Sequence, residues 1–156
     1  MKKKLLIIAL LCIILDQVSK LLVISNLEVN TGFSVIKNFF SILYVRNTGA
    51  AWGTFSNGTI ILAFLSMTFL FFAIKYVNEI KNISKLSIIS YGMLIGGIIG
   101  NLIDRLLRGF VIDFLSFNIF GYNFPVFNIA DSFIVISIIL IVIESFMKEG
   151  KKNVSR

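Results

Sequence analysis

The sequence predicts an all-α membrane protein of four transmembrane helices, one integral membrane domain over residues 1–156, with a small extracytoplasmic β-sheet region. Three observations carry that prediction. Of the 156 residues, 57% are hydrophobic and 15% charged, against roughly 25% charged in soluble domains, and the mean hydropathy is +0.93. Four stretches, residues 5–24, 59–76, 86–106 and 129–147, approach the roughly 20 apolar residues needed to cross a bilayer. The basic residues sit in short runs beside those stretches rather than along one amphipathic face, so the net charge of +7 reads as a topology signal and not as a nucleic-acid footprint.

The first stretch follows Lys2, Lys3 and Lys4 as a secretory leader would. Its apolar character resumes after Asp16 and Lys20, and no small residue precedes Cys12 where cleavage would want one, so it reads as a retained helix. Asp16 and Lys20, four apart, share a face and can pair, which lowers the cost of carrying both near lipid. For a structural pair of this kind, the double swap Asp16→Lys with Lys20→Asp is expected to recover part of the stability lost in either single variant. Orientation follows from the positive charges, because loops rich in Lys and Arg stay cytoplasmic. Lys2–Lys4, Lys75, Lys81, Lys85, Lys148, Lys151, Lys152 and Arg156 fall on one side, and Lys37, Arg46, Arg105 and Arg108 on the other. Both termini are therefore expected in the cytoplasm, with residues 25–58 and 107–128 outside.

In the first outer segment, the β-branched and aromatic runs 32–36 and 39–45, broken by Lys37-Asn38, predict a small sheet. Its aromatic content suggests that it rests on the membrane surface. The island Arg46-Asn47-Thr48-Gly49-Ala50-Ala51-Trp52-Gly53 is either a turn into the second helix or a place where small residues admit a ligand backbone beside the Asn47 amide. In the third helix, Gly96 and Gly100 place small residues four apart, which lets another helix approach closely. One turn later, Asn101, Asp104 and Arg105 form a polar stripe. Asp104 can pair with Arg108 and seal the helix end, while Asn101 and Arg105 can hydrogen-bond a peptide backbone.

Charged groups at membrane depth usually mark a functional site, and Asp16, Asp104, Asp113 and Asp131 all map to the outward side. Asn128 stands where an N-cap belongs and Asp131 in the first turn of the fourth helix, so capping alone accounts for both. Asp113, set among Val111, Ile112, Phe114 and Leu115 in the outer loop before it, has no capping job. Two such carboxylates sharing a proton could activate water and protonate a leaving amine. Zero histidines and a single cysteine remove Ser-His and Cys-His nucleophiles and the HExxH zinc site, so no metal and no cofactor are expected. Ser19 adjoins Lys20, but neighbours on a helix point about 100° apart and do not form a dyad readily. A transporter would need acids along a path through the membrane, whereas these collect at one surface.

Five blocks in order, Asp16-Gln17-Val18-Ser19-Lys20, Asn47 to Gly53, Gly96-Gly97 through Gly100-Asn101-Leu102-Ile103-Asp104-Arg105, Val111-Ile112-Asp113-Phe114 and Phe127-Asn128-Ile129-Ala130-Asp131-Ser132, make the chain resemble lipoprotein signal peptidase, or signal peptidase II, along nearly its whole length. The resemblance implies four transmembrane helices with a small outer sheet, in a bacterial cell membrane. It implies cleavage of a prolipoprotein signal peptide just before a cysteine carrying diacylglycerol. By the family's motifs the catalytic pair falls on Asp113 and Asp131. Asp16, Lys20, Asn47, Asn101, Arg105 and Asn128 fall on the polar surround, and Asp104 on a structural position. The expected partners are the diacylglyceryl-prolipoprotein substrate and membrane lipids, with the chain working as a monomer. Of the two acids, Asp131 is expected to be the ionised one, because the dipole of the fourth helix favours negative charge in its first turn.

Overall fold

The computed structural model describes residues 2–49, 58–80 and 82–154, with side chains as far as Glu149. Residues 50–53 of the small-residue island, Trp52 included, and Lys81 lie outside the described residues. The order of elements is α1 (Lys2–Asn26), β1 (Gly32–Ile36), β2 (Phe40–Asn47), α2 (Thr59–Glu79), α3 (Lys85–Arg108), β3 (Val111–Ile119), β4 (Tyr122–Asn123) and α4 (Ile129–Val154). All four helices are long and apolar enough to cross a membrane, with windows of mean hydropathy from 1.8 to 2.4. They run a few residues beyond the apolar stretches because their polar ends remain helical.

Helix α3 is the axis of the bundle, with 61% of its apolar window buried against 17–28% in the others. Its ends are fixed locally. The Ser84 hydroxyl accepts the Ser87 N–H at 2.9 Å, and Gly109 closes the helix in the left-handed conformation at φ 78°, its N–H reaching the Arg105 carbonyl. The small-residue stripe is what lets its neighbours in. A Cβ on Gly96 would stand 2.7 Å from the Ala9 carbonyl of α1, and one on Gly100 would stand 2.5 Å from Asp16 Oδ2 and 3.3 Å from Ala130 of α4. An apolar cluster of Leu5, Ala9, Val77, Ile83, Ile88 and Ile95 ties α1, α2 and α3 together at one end. The other faces carry exposed Leu, Ile and Phe, as expected where lipid is the solvent.

The sheet is antiparallel in the order β1-β2-β3-β4. The sequence places a sheet only in residues 32–45. The structure draws half of it from the second outer segment, so Asp113 lies on strand β3 and not in a loop. Residues 111–114 are buried on both faces and show no period-2 alternation, which is the pattern's usual strand signal. Val23, Tyr44, Ile112 and Phe114 form a second cluster with Leu27, which seats the sheet on the end of α1. In the β2–β3 register Asn47 stands opposite Val111, Arg46 opposite Ile112 and Val45 opposite Asp113. That pairing sets Asn47 and Asp113 on one face as diagonal neighbours.

Candidate active site

The site gathers where β3, the end of α3 and the start of α4 meet. Asn128 and Asp131 form a reciprocal cap on α4. The Asn128 Oδ1 accepts the Asp131 N–H at 2.9 Å, and Asp131 Oδ2 accepts the Asn128 N–H at 3.2 Å. This is the capping-box arrangement with Asn and Asp in the two roles. Capping leaves the Asn128 amide nitrogen free to work elsewhere, and it donates to Asp113 Oδ1 at 2.7 Å and to Asn101 Oδ1 at 3.1 Å. Asn47 donates to Asp113 Oδ2 at 2.8 Å while its own oxygen accepts the Gly49 N–H at 2.9 Å. Asn101 donates to Asp131 Oδ1 at 2.7 Å. Each aspartate thus accepts on both oxygens, and Asn128 binds one with its side chain and the other with its backbone.

Asp113 is 3% exposed. Burial, and then the charge of Asp131 beside it, push its carboxyl up to about 7, against the opposing pull of the Asn47 and Asn128 hydrogen bonds and of the Lys20 charge. Between about 4 and 7 the folded chain therefore holds a proton here that the unfolded chain has released. The associated stability is complete below about pH 4 and is lost as pH rises through about 7, a change of order 4 kcal/mol. Thermal unfolding in detergent should show that slope in the wild type and a flatter one in Asp113→Asn. Parallel slopes would refute the assignment.

Beneath the two acids lies a second, fully buried network. Lys20 Nζ is 2.8 Å from Asp16 Oδ2, 2.9 Å from Asp104 Oδ2 and 2.9 Å from Asn101 Oδ1. Asp104 also meets Arg108 at 2.7 Å and accepts the Ile112 N–H at 3.2 Å, so it pins the start of β3. Asp16 Oδ1 accepts the Ala130 N–H at 3.0 Å, so it pins the start of α4. The expectation that swapping Asp16 and Lys20 recovers part of the stability rests on their mutual contact alone, and these further contacts argue against it. A carboxylate at position 20 would face Asp104, and an ammonium at position 16 would face the Ala130 N–H.

The structure thus brings Asp113, Asp131, Asn47, Asn101 and Asn128 together, with Asp16, Lys20 and Asp104 one layer below. The Asn101 amide, expected to bind a peptide backbone, is already engaged by Asp131, Asn128 and Lys20. Arg105 lies close enough to Asp131, Asp113 and Asp104 to interact with their charges. Sequence reasoning gave Gln17 no role, yet its amide reaches Asp16, the Gly100 carbonyl and Asp104 at 3.1–3.3 Å. Its place one residue after Asp16, on a helix exposed to lipid elsewhere, was the available signal.

Two cavities meet at this site. One of about 330 Å³ is bordered by Asn47, Asp113 and Asp131 and roofed by Phe124–Phe127; the other, of about 590 Å³, runs between α2, α3 and α4 along Phe69, Phe72, Leu94, Ile134 and Ile138. They share Asn101, Arg105 and Asp131.

Residues 8–147 match the family model described as signal peptidase (SPase) II. Two solved structures titled as bacterial membrane enzymes, obtained by the in meso method at 2.3 Å and 1.9 Å resolution, share this fold. The first superposes with a TM-score of 0.88 at 35% identity, over 95% of this chain and 90% of its own. The second gives 0.81 at 36% identity, over 90% of each. The chain therefore belongs to the signal peptidase II family, the membrane aspartic peptidases that process lipoprotein signal peptides.

Proposed function

We propose that this protein removes the signal peptide from diacylglyceryl-modified bacterial prolipoproteins on the amino side of the lipidated cysteine, with Asp113 and Asp131 as its catalytic pair. The observation that carries the reading is the cavity that both carboxylates border, opening into an apolar groove between three helices. Asp113, raised to about 7, holds the proton, and Asp131, in the first turn of α4, is the ionised partner. Asp131 takes a proton from water as the water oxygen attacks the scissile carbonyl carbon, and Asp113 gives its proton to the carbonyl oxygen. When the tetrahedral adduct collapses, the C–N bond breaks, Asp131 returns its proton to the leaving nitrogen and Asp113 recovers its own. Asn47, Asn101 and Asn128 orient the carboxylates, and the Arg105 guanidinium is the group best suited to hold the substrate backbone.

The groove leads from Asp131 and Arg105 to the Tyr76–Tyr91 pair and suits an apolar segment arriving from the bilayer. Acyl chains on the substrate cysteine can stay in lipid while the peptide reaches the acids. Each methylene kept there contributes about 0.8 kcal/mol, so two already favour the lipidated substrate by about tenfold. Incubating the purified protein with lipidated and unlipidated precursors should show at least that ratio in kcat/KM. Equal rates would reject the lipid requirement.

The same reading places the protein in the bacterial cytoplasmic membrane as a monomer, termini inward and the acids at the outer face, because positive charges crowd the opposite ends of the helices. A cysteine at position 37 should react with an impermeant reagent in intact cells and one at position 151 should not. Buried Cys12 would stay silent. The reverse pattern would overturn the orientation.

A further inference from the structure

The hairpin joining β3 to β4 turns on Phe120 and Gly121, at φ 51° and 86°. The second position holds the glycine that such a turn favours, while the first holds a phenylalanine where Asn or Asp is usual. A bulky residue held at positive φ is a strained choice, and strain kept in a structure points to function. Phe120 is also fully exposed, at 106%. The turn is not loose. Phe39 and Phe40 pack on Phe117, which stacks on Phe127, itself in contact with Phe124, so a braced aromatic row carries the tip.

Around the tip, Ile119, Phe39, Phe33, Val35 and Ile36 are between 44% and 57% exposed. Strand β1, an edge strand, is exposed along its whole length. In water such an apolar edge would invite aggregation. Asp113 is the sole carboxylate of the described sheet strands, and it is buried, whereas Lys37 lies on the turn beside the tip. The sheet rests on Val23 in the last turns of α1 and on Leu27 just beyond the helix, and the same turns expose Leu21, Leu22 and Ile24, so the sheet sits at the level where the lipid-facing surface of α1 ends.

We propose that the β3–β4 tip is a membrane anchor, with Phe120 inserted among the lipids of the leaflet on the active-site side and Lys37 at their anionic headgroups. Strand β3 spans nine residues, about 30 Å at 3.3 Å per residue, so an anchor at its far end fixes the tilt of the strand whose near end carries Asp113. Aromatic rings at headgroup level and basic side chains beside them are the usual interfacial pairing.

The test places a nitrobenzoxadiazole reporter on Lys37→Cys, in a Cys12→Ala background, within vesicles of phosphatidylethanolamine and phosphatidylglycerol containing lipids brominated at shallow or deep acyl positions. Phe120 stays native in one sample and is replaced by Phe120→Asn in the other. Asn suits the left-handed conformation, so the hairpin should fold at least as well, which thermal unfolding in detergent checks. The expected result is quenching by shallow bromines at least twofold above that by deep ones, and a loss of at least half the bromine quenching in Phe120→Asn. Free access to iodide without bromine quenching would overturn the anchor and leave the tip in water or on a protein partner. Bromine quenching unchanged by Phe120→Asn would overturn the role of Phe120.

Discussion

Asp113→Asn and Asp131→Asn are each expected to lower the rate of cleavage of a lipidated precursor by about 10²–10⁴-fold, with membrane insertion intact. Amide replacement keeps the size and part of the hydrogen bonding while removing the carboxyl that, in the proposed mechanism, gives a proton at position 113 and accepts one at position 131. At Asp113 the carboxylate accepts from two amide donors, so the new amide must turn one donor away, at the cost of one hydrogen bond, about 0.5–1.5 kcal/mol. Asp104→Asn is the contrast. Asp104 holds Lys20, Arg108 and the Ile112 N–H without bordering either cavity, so its loss should appear first in stability. Measuring single-turnover cleavage beside the unfolding midpoint separates the two classes. Near-wild-type cleavage by either dyad variant would sink the mechanism.

Lys20→Met should be the most damaging change away from the acids. The ammonium is completely buried and is shared by Asp16, Asp104 and Asn101. Removing it leaves two buried carboxylates with reduced compensation, an effect of about 3–5 kcal/mol when one partner of a buried ion pair is deleted. That is a large share of the total stability of a domain. The double reversal Asp16→Lys with Lys20→Asp should give no recovery over the single variants. Thermal unfolding and yield in membranes read both, and a Lys20→Met protein as stable as the wild type would show that the network contributes little.

Much of this was legible in the sequence because the bilayer restricts the solutions. Length and hydropathy mark the helices, and a charge near lipid is conspicuous wherever it falls. Asp113 was visible as an acid among Val, Ile and Phe, and Asn128 as a cap. What the sequence hid was non-local. The alternation that betrays a strand is absent from residues 111–114, since both faces of β3 are covered there. The i, i+4 spacing of Asp16 and Lys20 marks only half of the interaction, because the second carboxylate on Lys20 comes from 84 positions further along, at Asp104. Glu144 went unassigned for the same reason. It accepts from the Ser84 and Ser87 hydroxyls at 2.7 Å, fastening α4 to the start of α3 through residues whose nearness only the packed helices create.

The contact between Asp16 Oδ1 and the Ala130 N–H joins the first helix to the last across 114 residues. Its consequence is temporal. During synthesis the first three helices and β3 can be in place with Asp113 present, but the acid at position 131, the bridging Asn128 and the N–H that Asp16 awaits all arrive with the final helix. On the proposed pairing, the two acids meet only once the fourth helix has packed against the first, so a nascent chain that still lacks this helix would hold one acid without its partner.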